Sequence, residues 1–196
     1  MAIDHPFYFL RHGETHWNRE RRHQGQLDIK LNDLGRAQAA RAAEALRGQP
    51  VTRIVTSPLS RAHDTARVVA KLLGVEVMLD PGLMECHQGD HQGEPIGPWL
   101  PRYFEGSYVP SNGEPFDDCC TRTWAAMRRA VALGPNTLIV AHGGSWVSAR
   151  RYVSVDPDRS WIPNAMPLHI VPDGTVWRSS IIGEGSWDDA LAVQAP

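Results

Sequence analysis

Phe7-Tyr8-Phe9-Leu10-Arg11-His12-Gly13-Glu14-Thr15 is an apolar run that stops at a histidine followed by a glycine. The same arrangement returns far downstream, where Leu138-Ile139-Val140-Ala141 runs into His142-Gly143-Gly144. Short continuous apolar runs read as strands buried on both faces, the condition of a parallel sheet covered by helices. A residue just past such a strand lies at its carboxyl end, where open α/β sheets bind ligands. The two imidazoles are therefore expected to meet in space.

Outward from these two runs, helix and strand signals alternate. A polar loop is expected over residues 12–32. Leu34 to Arg47 is rich in alanine and arginine and predicts a helix, with Asn32 or Asp33 as N-cap and Gly48 as terminator. Val51 to Thr56 reads as a second strand. Ser57-Pro58 is expected to open a helix, with Ser57 as N-cap and Pro58 in the first turn, that ends at Gly74. Val75 to Leu79 is a third strand, and Thr137 to Ala141 the fourth, after a helix over Phe116 to Leu133. Gly144 to Val153 predicts another helix. Met166–Val171 and Thr175–Ile181 read as a hairpin turned by Pro172-Asp173-Gly174. The pattern dissolves between Asp80 and about Asp118, where prolines and glycines mix with Trp99, Tyr103, Phe104, Tyr108 and Phe116. Its aromatic content argues against disorder, so it reads as a cap. The expected fold is a three-layer α/β/α sandwich, with a mostly parallel central sheet and an irregular cap over its carboxyl edge. One domain over residues 1–196 is expected, with the cap inserted at about 80–118.

The bulk numbers exclude several function classes. The chain has 196 residues, 42% hydrophobic and 21% charged, as in ordinary globular proteins. Twenty basic against 22 acidic residues leave a net charge of −2, so no nucleic-acid partner is expected. No apolar stretch approaches a membrane span. The first strand begins too early for a cleavable signal. Three cysteines, two of them the adjacent Cys119-Cys120, do not make a disulfide framework, and a cytoplasmic, reducing location fits that count. A homo-oligomer is compatible with the sequence, which contains nothing that specifies one.

In a parallel sheet, Arg11-His12, Ser57 with Arg61 one helical turn on, His142, and Glu85 after the third strand converge on one edge. Two guanidiniums in one cleft repel unless an anion lies between them, and their planar forks match phosphate oxygens. A carboxyl beside such a site is a candidate proton donor to a leaving oxygen. Asn18 also reads as a cap, Gln24-Gly25 as a turn, and the Arg61 stem as cover for its own helix. Cys86, His87 and His91 have a zinc-like spacing only if their loop is helical. No helical pattern is present there, so no metal site is expected.

These residues carry a resemblance. Arg11-His12-Gly13-Glu14-Thr15 with Trp17-Asn18 resembles the signature of the histidine phosphatase superfamily, in its phosphoglycerate-mutase-like branch. Gln24-Gly25 and Asp28, then Leu31, Gly35 and Ala39, continue the match. So do Thr56-Ser57-Pro58-Leu59 with Arg61-Ala62, Glu85 with Gly89 and Gly93, Gly113-Glu114 with Arg122, and His142-Gly143-Gly144. An ordered series of this length is specific where single tripeptides are not. Gln88, His91, Pro115 and Lys30 depart from the family's usual residues, and none of these departures removes a charged catalytic group.

The resemblance implies metal-independent hydrolysis of a small phosphomonoester through a phosphohistidine at His12, with no cofactor. Arg11, Arg61 and a protonated His142 would serve the phosphoryl oxygens, and Glu85 would protonate the leaving oxygen. Gly13, Glu14, Thr15, Asn18, Gln24, Gly25 and Gly143 are the implied phosphate- and substrate-binding positions. His12 needs one ring nitrogen bare, so the other should donate to a backbone carbonyl. The alternatives are a phosphoglycerate mutase and a non-catalytic phosphate-binding regulatory module. The family's mutases generally carry a longer insertion between Glu85 and His142, which favours hydrolysis here. Trp99, Tyr103 and Tyr108 either stack on the substrate or pack the cap. Lysines are few, Lys30 and Lys71, leaving Arg102 as the cap's main candidate for a further anion contact.

Overall fold

The computed structural model describes residues 3–183 and Trp187. The rest of the expected domain, residues 1–2, 184–186 and 188–196, lies outside the described residues. The helices are α1 (His16–Arg19), α2 (Asp33–Ala45), α3 (Ser60–Leu73), α4 (Leu100–Glu105), α5 (Phe116–Ala132) and α6 (Gly143–Ala149). The strands are β1 (Phe7–Arg11), β2 (Arg53–Thr56), β3 (Val77–Leu79), β4 (Thr137–Ala141), β5 (Ser154–Val155), β6 (Pro167–Asp173) and β7 (Val176–Ile181). They form one sheet in the order β3-β2-β4-β1-β6-β7-β5. The first four in that order are mutually parallel, and β6 runs antiparallel to both β1 and β7. The mostly parallel α/β reading holds, hairpin included; the two-residue β5 was not expected.

Chain direction explains the layers. From β1 to β2 to β3 the chain moves toward one edge, then returns to β4 in the middle. Right-handed crossovers put α2 and α3 on one face and α5 on the other. In agreement, α2 packs on α3, and α5 on α6. Helices on both faces bury every residue of β1 and β4. On α5 the buried positions Phe116, Cys119, Cys120, Thr123, Ala126, Met127, Ala130 and Val131 follow the 3–4 spacing of one helical face. Among the described residues no helix is long and apolar enough to cross a membrane.

Element boundaries follow local chemistry, with three corrections. Asn32 caps α2 as expected, its side chain accepting from the Gly35 amide at 2.7 Å. Gly48 does not terminate that helix, which closes at Ala45; Gly48 supplies a left-handed turn further on. Ser57 does not cap α3, which starts at Ser60 after Leu59, because the Ser57 hydroxyl is engaged by His142 at 2.9 Å. The helix expected over Gly144–Val153 is shorter, α6 stopping at Ala149. Gly74 closes α3 in the left-handed conformation, at φ 69°.

The loop after β1 is pressed directly against α2. A Cβ built on Gly35 would stand 2.0 Å from the Glu14 carbonyl oxygen, and one on Gly13 2.3 Å from the Gly35 oxygen. Backbone meets backbone there, so neither side can yield cheaply. Gly35→Ala is expected to destabilise the chain by about 1–3 kcal/mol. Differential scanning calorimetry should show this as a Tm loss of roughly 2–12 °C. A Tm within a degree of the parent would show that the loop does not rest on α2.

Candidate active site

The strand register brings the expected groups to one edge. Arg11 pairs with Ala141 at the ends of β1 and β4, and Thr56 pairs with Val140 at the end of β2. The His12 amide donates to the Ala141 carbonyl, and the Ser57 amide to the Val140 carbonyl. His12 and His142, 130 positions apart, therefore face each other with ring centroids 5.2 Å apart. Both rings are buried.

The His12 Nδ1 lies 2.7 Å from the Gly13 carbonyl oxygen. A carbonyl only accepts, so Nδ1 carries the proton and Nε2 is left with its lone pair. Burial pushes the His12 ring well below its ordinary 6.5, and Arg61 and Arg11 push it further. His142 is driven the same way, by burial first and then by Arg61. Both imidazoles are therefore driven toward the neutral form. A neutral ring still donates. Ser57 Oγ accepts from the Leu59 amide at 3.3 Å and lies 2.9 Å from His142 Nε2, which leaves the second ring nitrogen, Nδ1, outside that pair. Among the described residues that Nδ1 has no partner.

Depressed histidines keep their neutral form as the pH falls through 6.5. In NMR of the ligand-free protein, the His12 and His142 imidazole resonances should stay at their neutral shifts from pH 7.5 down to 5.5. A titration of either ring near 6.5 would remove the electrostatic basis of the site.

Arg61 is wholly buried on α3. Its Nη2 donates to the Gly25 carbonyl at 2.7 Å and its Nη1 to the Leu27 carbonyl at 2.9 Å. Arg11 donates through Nη1 to the Ile162 carbonyl at 3.0 Å, and its guanidinium lies 4.8 Å from the centre of the Trp161 ring. Burial lowers both to about 10, opposed in each case by Glu85. Both keep their charge at neutral pH. Their Nε atoms are buried and have no partner among the described residues. Unpaired buried donors are costly unless a ligand takes them.

Glu85 accepts from the Gly144 amide (3.1 Å) and the Cys86 amide (2.9 Å). Arg122 on α5 holds the chain that carries it, donating to the Gly82 and Met84 carbonyls at 2.9 and 2.8 Å. Cys86 is joined to Cys119 by a disulfide, and Cys120 is free and buried. A single bridge was not foreseen by the expectation that three cysteines make no disulfide framework. The adjacent Cys119-Cys120 concealed a partner that only the folded cap brings close.

A cleft of about 110 Å³ opens between these groups. Arg11, His12, Arg61, Glu85, Asn18, Gln24, Gly25 and Gly143 line it; His142, beside His12, is not among the lining residues. Asn18 has a second task, since Thr15 and Asn18 cap α1 reciprocally. Gly13, Glu14 and Thr15 do not reach the cleft. The Gly13 amide donates to Thr65, the Glu14 amide to Gln38, and the Thr15 hydroxyl to Gln24. They fasten the loop to its scaffold, which corrects their expected role as binding groups. Trp99, Tyr103 and Tyr108 pack the cap. Trp99 lies between His23 and His91, Tyr103 is buried beside Phe116, and the Tyr108 hydroxyl meets His91 Nε2 at 2.8 Å. Burial lowers His23 to about 4, so its own ring is neutral at pH 7.

Sequence reasoning missed the walls. Trp161 lies over Gly143, while Ile96, Leu100 and Phe104 form an apolar side. Arg22, not Arg102, is the additional cation that lines the cleft. Trp161 sits in a loop with no periodic signal to mark it. A larger cavity, about 560 Å³, lies on the α3 flank between Lys30, Arg67, Lys71 and Val77. None of the groups expected to carry chemistry lines it.

Comparison with known proteins agrees with this arrangement. The family model described as histidine phosphatase superfamily (branch 1) matches residues 7–171. Phosphoglycerate mutase-like protein 4 of Arabidopsis thaliana is 39% identical over 90% of this chain and 84% of its own length. The probable phosphoglycerate mutase GpmB of Photorhabdus laumondii is 35% identical over 69% of this chain and 68% of its own. Among solved structures, a mycobacterial glucosyl-3-phosphoglycerate phosphatase complexed with VO3 is 30% identical. It superposes with a TM-score of 0.77 over 90% of this chain and 98% of that one.

Proposed function

The chain belongs to the histidine phosphatase superfamily (branch 1), and from that premise we propose that it hydrolyses a small phosphomonoester through a phosphohistidine at His12, without a metal. One observation carries the reading. The 2.7 Å contact of His12 Nδ1 with the Gly13 carbonyl leaves a bare Nε2 in a cleft walled by two buried arginines. The Nε2 lone pair attacks phosphorus and the ester P–O bond breaks. Glu85, as the acid, gives the leaving oxygen its proton. Water then attacks the phosphohistidine, Glu85 takes its proton, and the N–P bond breaks. Arg11 and Arg61 compensate charge on the equatorial oxygens, with His142 beside His12 as a further polar group, which is most of what phosphoryl transfer asks of a protein. The substrate belongs among small phosphorylated metabolites, met in the cytoplasm. Its non-phosphoryl part lies against Ile96, Leu100 and Phe104.

One relative named phosphoglycerate mutase-like, at 39% identity, and one named a probable phosphoglycerate mutase, at 35%, favour a second reading, phosphate passed between hydroxyls. A mutase must keep water from the phosphohistidine while the intermediate reorients. One panel separates the two. Phosphate release is measured with phosphosugars, nucleotides, phosphoamino acids and 3-phosphoglycerate, with chelator present and His12→Ala as control. Isomerisation of 2-phosphoglycerate, primed with the bisphosphate, is measured beside it. Hydrolysis exceeding isomerisation supports the phosphatase; the reverse establishes the mutase.

A further inference from the structure

We propose that the Cys86–Cys119 disulfide is a positioning clamp for Glu85, and that a low-molecular-weight thiol entering the substrate cleft opens it and slows the acid-dependent step. The inference rests on the phosphatase reading and adds to it a site of modification. The acid-bearing chain between β3 and the cap is tied to α5 at successive points. Arg122 takes the carbonyls of Gly82, Met84 and, at 3.4 Å, Glu85. The disulfide takes Cys86, and Glu114 accepts the His87 amide at 2.8 Å. Glu85 thus hangs from a backbone pinned on both sides, and the pin that follows it directly is the sulfur bridge. The adjoining Cys86 amide is also one of the two donors to its carboxylate.

The two sulfurs are chemically unequal. Both are buried, Cys86 to 1% exposure and Cys119 fully, but Cys86 alone lines the cleft, beside Glu85 and Gly144. Arg122 Nη2 stands 3.6 Å from Cys119 Sγ. A thiolate drawn into a notch walled by Arg11 and Arg61 therefore meets the Cys86 sulfur. A new S–S bond forms to Cys86 as the Cys86–Cys119 bond breaks. Cys119 departs as a thiolate held by the guanidinium, and a stabilised leaving thiolate speeds exchange. A second small thiolate then attacks the mixed disulfide on its own sulfur. It leaves with the first as the oxidised small thiol, and Cys86 becomes a thiolate. Two thiols are oxidised and one disulfide is reduced. The Cys119 thiolate now competes with the carbonyls and with Glu114 for Arg122, so both pins on the Glu85 chain loosen together.

The test uses the full chain in both redox states. Denaturing alkylation read by intact mass should find one reactive thiol, Cys120, in the oxidised protein and three after treatment with glutathione. Single-turnover labelling of His12 is then followed with an alkyl phosphate, whose poor leaving group needs the acid, and with p-nitrophenyl phosphate, whose leaving group does not. Reduction should slow labelling by the alkyl ester at least about tenfold, within the span general acids contribute. The aryl ester should stay within about twofold. The Cys86→Ser/Cys119→Ser variant should reproduce the reduced behaviour and ignore glutathione, while Cys120→Ser keeps the full response. Saturating inorganic phosphate should protect the disulfide from glutathione. Three thiols in the oxidised protein, or equal alkyl-ester rates in the two states, would overturn the clamp while leaving the phosphatase reading standing. Absence of phosphohistidine with both esters in both states would overturn that reading and the clamp with it.

Discussion

Replacing His12 with alanine should abolish both phosphate release and the trapped phosphoenzyme, with kcat falling on the order of 10⁴-fold or more. Loss of the nucleophile removes the covalent route outright, and no neighbour substitutes for it. His142 is the other imidazole within reach, but it lies outside the lining of the cleft, and its Nε2 is engaged by Ser57 at 2.9 Å. The variant should still fold. The His12 amide keeps its bond to Ala141, and the side chain contributes one hydrogen bond, to Gly13, worth about 1 kcal/mol. It should also still bind inorganic phosphate, because Arg11 and Arg61 remain. That combination separates an enzyme from a phosphate-binding module: retained binding, retained Tm and no turnover. Added imidazole should restore a small part of the turnover by occupying the vacated space. Residual activity above about one per cent of the parent would place the nucleophile elsewhere.

The legible part of this site is the part anchored to periodic elements. Apolar runs ending at His12 and His142 marked the ends of β1 and β4, Val51–Thr56 read as β2, and parallel register did the rest. The convergence of two imidazoles and two guanidiniums followed from topology alone. The signature after His12 was harder to interpret, because a sequence does not say whether a polar group faces a ligand or its own scaffold. Gly13, Glu14 and Thr15 face the scaffold, through Thr65, Gln38 and Gln24. The cap hid still more. Its contacts are set by stacking and by loop closure, neither of which has a period. Trp99 between two histidines, Trp161 over Gly143 and the bridge from Cys86 to Cys119 all join residues distant in sequence. Nothing in local propensity brings such pairs together; only the closed fold does.

Arg61→Lys is the sharper test of how the charge is held, because it keeps the charge and removes the fork. The guanidinium works in two directions at once. Two of its nitrogens are spent on the carbonyls of Gly25 and Leu27, fixing the loop that carries Gln24 and Gly25 into the cleft. Its Nε is buried without a partner among the described residues and is free to meet a phosphoryl oxygen. An ammonium is a point charge on a flexible stem and cannot span both tasks from one position. If it stays with the carbonyls, the phosphoryl group loses a donor; if it turns to the substrate, two buried carbonyls are abandoned. Removing one preorganised donor from a transition state costs roughly a hundredfold to a thousandfold in rate. Leaving buried polar groups unsatisfied costs about 1–3 kcal/mol of stability. Both losses should appear together, kcat/KM in a phosphate-release assay and the midpoint in urea unfolding. Arg61→Ala should lower kcat/KM at least as far. A lysine variant within about fivefold of the parent in kcat/KM would mean that charge alone suffices at this position, and that the fork only braces the loop.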